Sequence, residues 1–180
     1  MNRPTRDELI PDHCARDVVV LCCGNVLFGD DGFGPAVAQR IHESFAVPDW
    51  AAVIDAGTAV RELLIDIIVC ERRPTQIVIV DAVDVGRTPG EVFEIPLDDI
   101  PKAEAAEFSV HQAPTANLLQ ELREAAGVRV AVIVCQVETV PEGEMSEEIS
   151  PTVRRAIDRA ALLIRATYLA DAAPTDSPSP

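Results

Sequence analysis

Apolar residues along this chain follow two rhythms. One is a set of short, continuous runs, Val18-Val19-Val20-Leu21, Ala52-Val53-Ile54, Ile77-Val78-Ile79-Val80 and Val130-Ala131-Val132-Ile133-Val134. Runs of this length, rich in β-branched residues, predict strands buried on both faces, over about 17–22, 52–55, 76–81 and 130–134. The other rhythm is helical. Val37, Ile41 and Phe45 predict a helix over 35–44, with Pro35 in its first turn. Leu63, Leu64, Ile67 and Ile68 predict a second, with Thr58 placed to cap it. Leu118, Leu119 and Leu122 predict a third that stops near Gly127. The last has Ser150 as cap, Pro151 at the first position, and Val153, Ile157, Ala160 and Ile164 on one face.

A fifth strand is expected over 91–95, where Val92, Phe93 and Ile95 follow the turn Gly86-Arg87-Thr88-Pro89-Gly90. It is reached without a helix, and so short a connection cannot make a parallel crossover, so this strand should be antiparallel to its neighbour. The fold class is α/β: a three-layer α/β/α sandwich with a five-stranded, mostly parallel sheet carrying one antiparallel strand. Residues 1–16 read as a polar leader, 17–170 as a single domain, and 171–180, rich in Ala, Pro and Ser, as a disordered tail.

Composition narrows the function. A net charge of −15 argues against a nucleic-acid partner, since phosphate binding relies on Lys and Arg. The apolar runs are far short of a membrane span, and the N-terminal stretch has no apolar signal region, so a cytoplasmic protein without membrane contact is expected. Cys14, Cys22, Cys23, Cys70 and Cys135 are odd in number and contain no CxxC pair. They predict reduced, mostly buried thiols. Cys22 and Cys23, neighbours on a strand, should point to opposite faces.

The densest chemistry lies in 22–35, Cys-Cys-Gly-Asn-Val-Leu-Phe-Gly-Asp-Asp-Gly-Phe-Gly-Pro. It is a strand, a glycine-rich turn and a helix start with two adjacent carboxylates. It has neither GxGxxG nor a Lys-Ser/Thr pair, so phosphate cradling is not its function. Two acids would repel a phosphate and attract a cation. Asp31 in this turn and Asp81 at the end of the central strand should project from one carboxyl edge of a parallel sheet, and His111 comes from a loop before a helix. Two carboxylates and an imidazole suit Zn²⁺ or Ni²⁺ with a position left open. Each also has a plainer role: Asp30 or Asp31 could cap the first helix, Asp81 could accept backbone bonds in its loop, and His111 could lie on the surface. His13 and His42 take that plainer reading outright. Asp55 and Asp84 could line the same edge, Cys23 could add a soft ligand, and Glu142, Glu144, Glu147 and Glu148 read as a solvated acidic loop.

Together, Gly24-Asn25-x-Leu27-x-x-Asp30-Asp31-x-x-Gly34, Asp55-x-Gly57-Thr58, Val80-Asp81-Ala82 and the late His111-Gln112 resemble the hydrogenase maturation endopeptidases over about residues 17–168. The resemblance implies an enzyme, an aspartyl-type endopeptidase that removes a C-terminal extension from a [NiFe] hydrogenase large-subunit precursor after nickel insertion. It implies that Asp31, Asp81 and His111 contact the metal and carry catalysis through it, with no separate nucleophile. The nickel would be carried by the precursor and serve as the recognition element, with no organic cofactor and a monomeric enzyme. Residues 28–35 look most like the branch serving coenzyme F420-reducing hydrogenases. Many members have Gly-x-Gly-Asn where this chain has Cys22-Cys23-Gly24-Asn25, so Cys22 bears on the geometry of the turn. Two other classes share these features: a metal-sensing chaperone that binds the precursor uncut, and a small-molecule or nucleotide-binding α/β domain.

Overall fold

The computed structural model describes residues 11–100, 113–139 and 145–170. A short helix α1 (Asp12–Ala15) precedes β1 (Val18–Cys23), α2 (Phe33–Ser44), β2 (Ala51–Gly57), α3 (Val60–Val69), β3 (Gln76–Val83), β4 (Val92–Glu94), α4 (Ala113–Ala126), β5 (Arg129–Gln136) and α5 (Pro151–Tyr168). The strands form one five-stranded sheet in the order β2-β1-β3-β5-β4. Only β4 among them is antiparallel, pairing Val92 with Cys135 and Glu94 with Ile133. Its neighbour is β5 rather than β3: Gly90 and β4 reach past the central strand to the sheet's far edge.

Alternation along the buried strands sorts the core into two layers. Val18, Val20, Cys22, Val78, Val80, Ile133 and Cys135 pack with Phe33, Val37 and Ile41 of α2 and with Val153, Ala156, Ala160 and Ile164 of α5. Val19, Leu21, Cys23, Ile77, Ile79, Val132 and Val134 face Val60, Leu64 and Ile67 of α3 and Leu119 and Leu122 of α4. Cys22 and Cys23 do point to opposite faces.

Two local expectations need correction. Thr58 does not cap α3; Ala59 holds that position without a side-chain bond. The thiols are not all reduced: Cys14 and Cys70 are joined in a disulfide, while Cys22, Cys23 and Cys135 are free and buried. The pair unites α1 with the end of α3, a non-local contact that cysteine spacing does not encode. No helix of the described residues is long and apolar enough to cross a membrane.

Candidate functional site

The strand order creates the site. From β1 the chain runs out through α2 to β2, then returns through α3 to β3 on the other side of β1, and α2 and α3 cover opposite faces. Strand order therefore reverses between β1 and β3, the switch point beyond whose carboxyl ends α/β sheets open a crevice. Asp31 follows β1 in a 3₁₀ turn (Gly29–Gly32), and Asp81 lies near the end of β3. The two predicted acids flank that crevice.

Two glycines make the arrangement possible. Gly24 has φ of +129°, and a Cβ there would collide with the carbonyl oxygen of Asp31. Gly34 seats the first turn of α2 directly on the sheet: a Cβ would strike the Cys23 carbonyl oxygen and lie 2.8 Å from that of Val80. Cys22 is accommodated near the end of β1. It is fully buried, and among the described residues no non-glycine has positive φ, so the turn does not need a glycine at that position.

The side chains have distinct tasks. Asp31 is half-buried, and its Oδ2 accepts the Asn25 N–H at 2.8 Å, folding the loop back on itself. Asp81 is buried, and its Oδ1 accepts the Ala82 N–H at 2.8 Å. Asp30, adjacent to Asp31, is wholly committed to backbone. Its Oδ2 accepts from Glu138 N at 2.8 Å and Thr139 N at 3.0 Å, and its Oδ1 from Ser150 N at 2.7 Å. Neither acid caps α2, whose cap position, Gly32, makes no side-chain bond.

The electrostatics of Cys23 report the convergence. Burial first, then Asp81, holds its thiol well above the ordinary range, with Cys22, Asp31 and Asp55 adding to the effect. Three carboxylates from β1's exit, β2 and β3 thus act on one sulfur. Burial from solvent and the raised thiol pKa both disfavour Cys23 as a nucleophile. Asp55 is exposed and accepts the Gly57 N–H at 3.1 Å, beside the bulge where Cys22 pairs with Asp55 but Cys23 pairs with Gly57.

Asp84 belongs to the loop. It accepts from Gln136 Nε2 at 2.9 Å, while Gln136 Oε1 accepts from Val85 N at 3.0 Å and Arg87 N at 3.1 Å. Buried Gln136 was not singled out from sequence, although a polar residue closing the run 130–135 is the signal that could have found it. Trp50 O accepts from Asp17 N and Val18 N at the start of the sheet. His42 Nε2 sits 3.0 Å from Val53 O, in keeping with a structural role. His111, Glu142 and Glu144 lie outside the described residues. Among the described residues no group of three acids, histidines and cysteines is arranged to hold a metal ion. Carboxylates such as those of Asp31 and Asp81 are the kind of oxygen donor that suits a divalent cation.

Comparison with known proteins assigns the class. The structure superposes on the solution structure of an Escherichia coli endopeptidase, HycI, with a TM-score of 0.66 and 32% identity, covering 83% of this chain and 89% of that one. A family model described as hydrogenase maturation protease matches residues 35–166, and the chain belongs to that family. A Methanocaldococcus jannaschii relative carrying the hydrogenase maturation protease name is 34% identical over 149 residues, 83% of this chain and 94% of its own. The coenzyme F420 hydrogenase subunit delta of Methanothermobacter thermautotrophicus is 32% identical over 82% of this chain and 92% of its own.

Proposed function

We propose that this protease removes the C-terminal extension of a [NiFe] hydrogenase large-subunit precursor, and that Asp31, Asp81 and His111 engage the nickel the precursor already carries. The observation that carries this reading is the placing of Asp31 and Asp81 on either side of the β1/β3 switch point, in a chain of the maturation protease family. The ion is part of the substrate. Held between the client's ligands and these carboxylates, it registers the peptide against the protease and marks a precursor that is ready to be trimmed.

The chemistry is addition of water across one peptide bond. Asp31, Asp81 and His111 would hold the precursor's nickel, which would supply polarisation of the scissile carbonyl. One of the carboxylates would take a proton from the attacking water and return it to the amine nitrogen as the C–N bond breaks. Asp31, less buried than Asp81 and set on a turn, is the better placed for contact with the incoming chain. Asp81, buried at the strand end, is the more rigid of the two. The burial of Cys23 agrees with a mechanism that uses no covalent enzyme intermediate.

Mass spectrometry of a large-subunit precursor incubated with the protease, with and without nickel, tests the reading. Release of a short C-terminal peptide only from the nickel-loaded precursor is the expected result. Binding without any change in mass would assign the chain to a precursor-sensing chaperone instead.

A further inference from the structure

A groove of about 480 Å³ adjoins the site on the α2 side of the sheet, within the size range of pockets that bury a small ligand or a short stretch of peptide. Its apolar surface comes from Pro35 of α2, Val26 of the turn after β1 and Ile149 ahead of α5. Its acidic groups are Asp55 and Glu147, both exposed, and among the described residues no lysine or arginine lines it. Gly32 forms part of the floor, where a Cβ would lie 3.3 Å from Val26 Cα and 3.7 Å from Ile149 Cδ1.

The groove opens onto an edge of the sheet. β2 is the outermost strand on that side, and Trp50 O, just before it, turns inward to Asp17 N and Val18 N. By alternation, Val53 and Asp55 direct their backbone groups to the outer edge. Val53 O meets His42 Nε2 at the groove wall, and Asp55 lines the groove itself. Val53 is buried and its carbonyl already meets His42, so the exposed part of the edge is at Asp55. Such an edge recognises extended backbone, while pockets beside it select side chains. Apolar and acidic surfaces side by side select a chain that alternates apolar and basic residues. The position is equally telling: Gly32, on the groove floor, directly follows Asp31 in the turn after β1, so the groove abuts the segment that carries that acid.

We propose that this groove is the docking subsite for an extended segment of the client's C-terminal extension, one in which a basic side chain lies against Asp55 and Glu147 and an apolar one against Val26, Pro35 and Ile149. The inference rests on the protease reading above. It assigns specificity to a surface outside the Asp31/Asp81 pair, and it makes the extension's own residues part of what is recognised.

Steady-state cleavage of nickel-loaded precursor by three variants tests it. Ala36→Trp fills the groove from a half-buried position on α2, Glu147→Arg reverses its charge at an exposed position, and Val69→Trp enlarges an exposed side chain on α3, on the other face of the sheet. The first two should raise KM about tenfold or more, equivalent to about 1.4 kcal/mol of binding, with kcat little changed, and Val69→Trp should leave both constants alone. Replacing the basic residues of the client's extension with glutamate should weaken cleavage by the wild type and restore it for Glu147→Arg. Unchanged KM in both groove variants, with a wild type that cleaves, would overturn the subsite and leave the protease intact. A wild type that leaves nickel-loaded precursor uncut would overturn the protease reading, and the subsite with it. If Ala36→Trp fails to fold by circular dichroism, the exposed Glu147→Arg and the charge-swapped client decide the matter.

Discussion

Asp30 Oδ1 accepts the backbone N–H of Ser150 across 120 residues of sequence, at 2.7 Å, and Ser150 Oγ in turn accepts from Val153 N at 3.3 Å. One carboxylate therefore links the turn that carries Asp31 to the cap of α5, and its other oxygen holds the exit of β5 through Glu138 and Thr139. Of two adjacent aspartates, the first ties distant segments together and the second folds its own loop through Asn25 N.

Asp30→Asn should be destabilising. The amide keeps one acceptor oxygen and turns an NH₂ toward backbone donors at a site only 1% exposed. With hydrogen bonds to charged groups worth about 1.5–3 kcal/mol each, a loss of roughly 2–4 kcal/mol is expected, read as a lower urea midpoint. A midpoint equal to wild type would show that Asp30 does not hold the three segments together.

Asp31→Asn and Asp81→Asn should behave differently from it. Each is expected to lower precursor cleavage by roughly 100-fold or more while the urea midpoint stays near that of wild type. His111→Ala belongs to the same set. Normal processing in all three variants would remove these residues from the mechanism.

Gly34→Ala should fail for a steric reason. The added methyl would meet the Cys23 and Val80 carbonyls, which are backbone atoms within the sheet and cannot rotate away as a side chain could. A cost of about 3 kcal/mol, or insoluble protein, is expected. A soluble variant with an unshifted thermal midpoint would refute the close seating of α2.

Breaking the Cys14–Cys70 bond, whose partners are 56 residues apart, should cost about 4 kcal/mol on the chain-entropy account. Dithiothreitol and Cys70→Ser should lower the thermal midpoint to a similar degree, and reductant should have no further effect on the variant. Identical melting with and without reductant would contradict the cross-link.

Burial pushes the Cys135 thiol from its ordinary 9.0 up to about 12, with Asp30 adding to the rise and Arg159 opposing it. An unfolded chain therefore loses this proton at lower pH than the folded one, so the native state binds more protons between about pH 9 and 12. Stability from this group is complete below pH 9 and declines as pH climbs toward 12. Cys135→Ala should flatten that decline in denaturation curves taken from pH 8 to 11. Cys22 and Cys23, also raised by burial, keep part of the slope in the variant. An equal slope in both proteins would contradict the shift.

What was legible in the sequence was whatever depends on near neighbours. The runs at 18–21 and 77–80 could only be interior strands, Ser150-Pro151 could only begin a helix, and acids at strand ends had to share the carboxyl edge. What was hidden depends on partners far along the chain. The anchoring role of Asp30 requires knowing that 138–139 and 150 return to the turn after β1. Thr58 has the chemistry of a cap, yet Ala59 takes the cap position. The antiparallel direction of β4 followed from a short connection, whereas its place beside β5 followed from Gly90 pairing with Gln136 at 2.8 Å, which no local pattern announces.

The Cys14–Cys70 bond has a mechanical consequence. A pull applied at the N-terminus enters at Cys14 and passes through the sulfurs to Cys70, bypassing everything threaded between them. β1, α2, β2, α3 and the turn bearing Asp31 lie in that bypassed loop, so while the bond holds they bear no tension directly. An unfolding motor working from that end would have to open the sheet at β3 first.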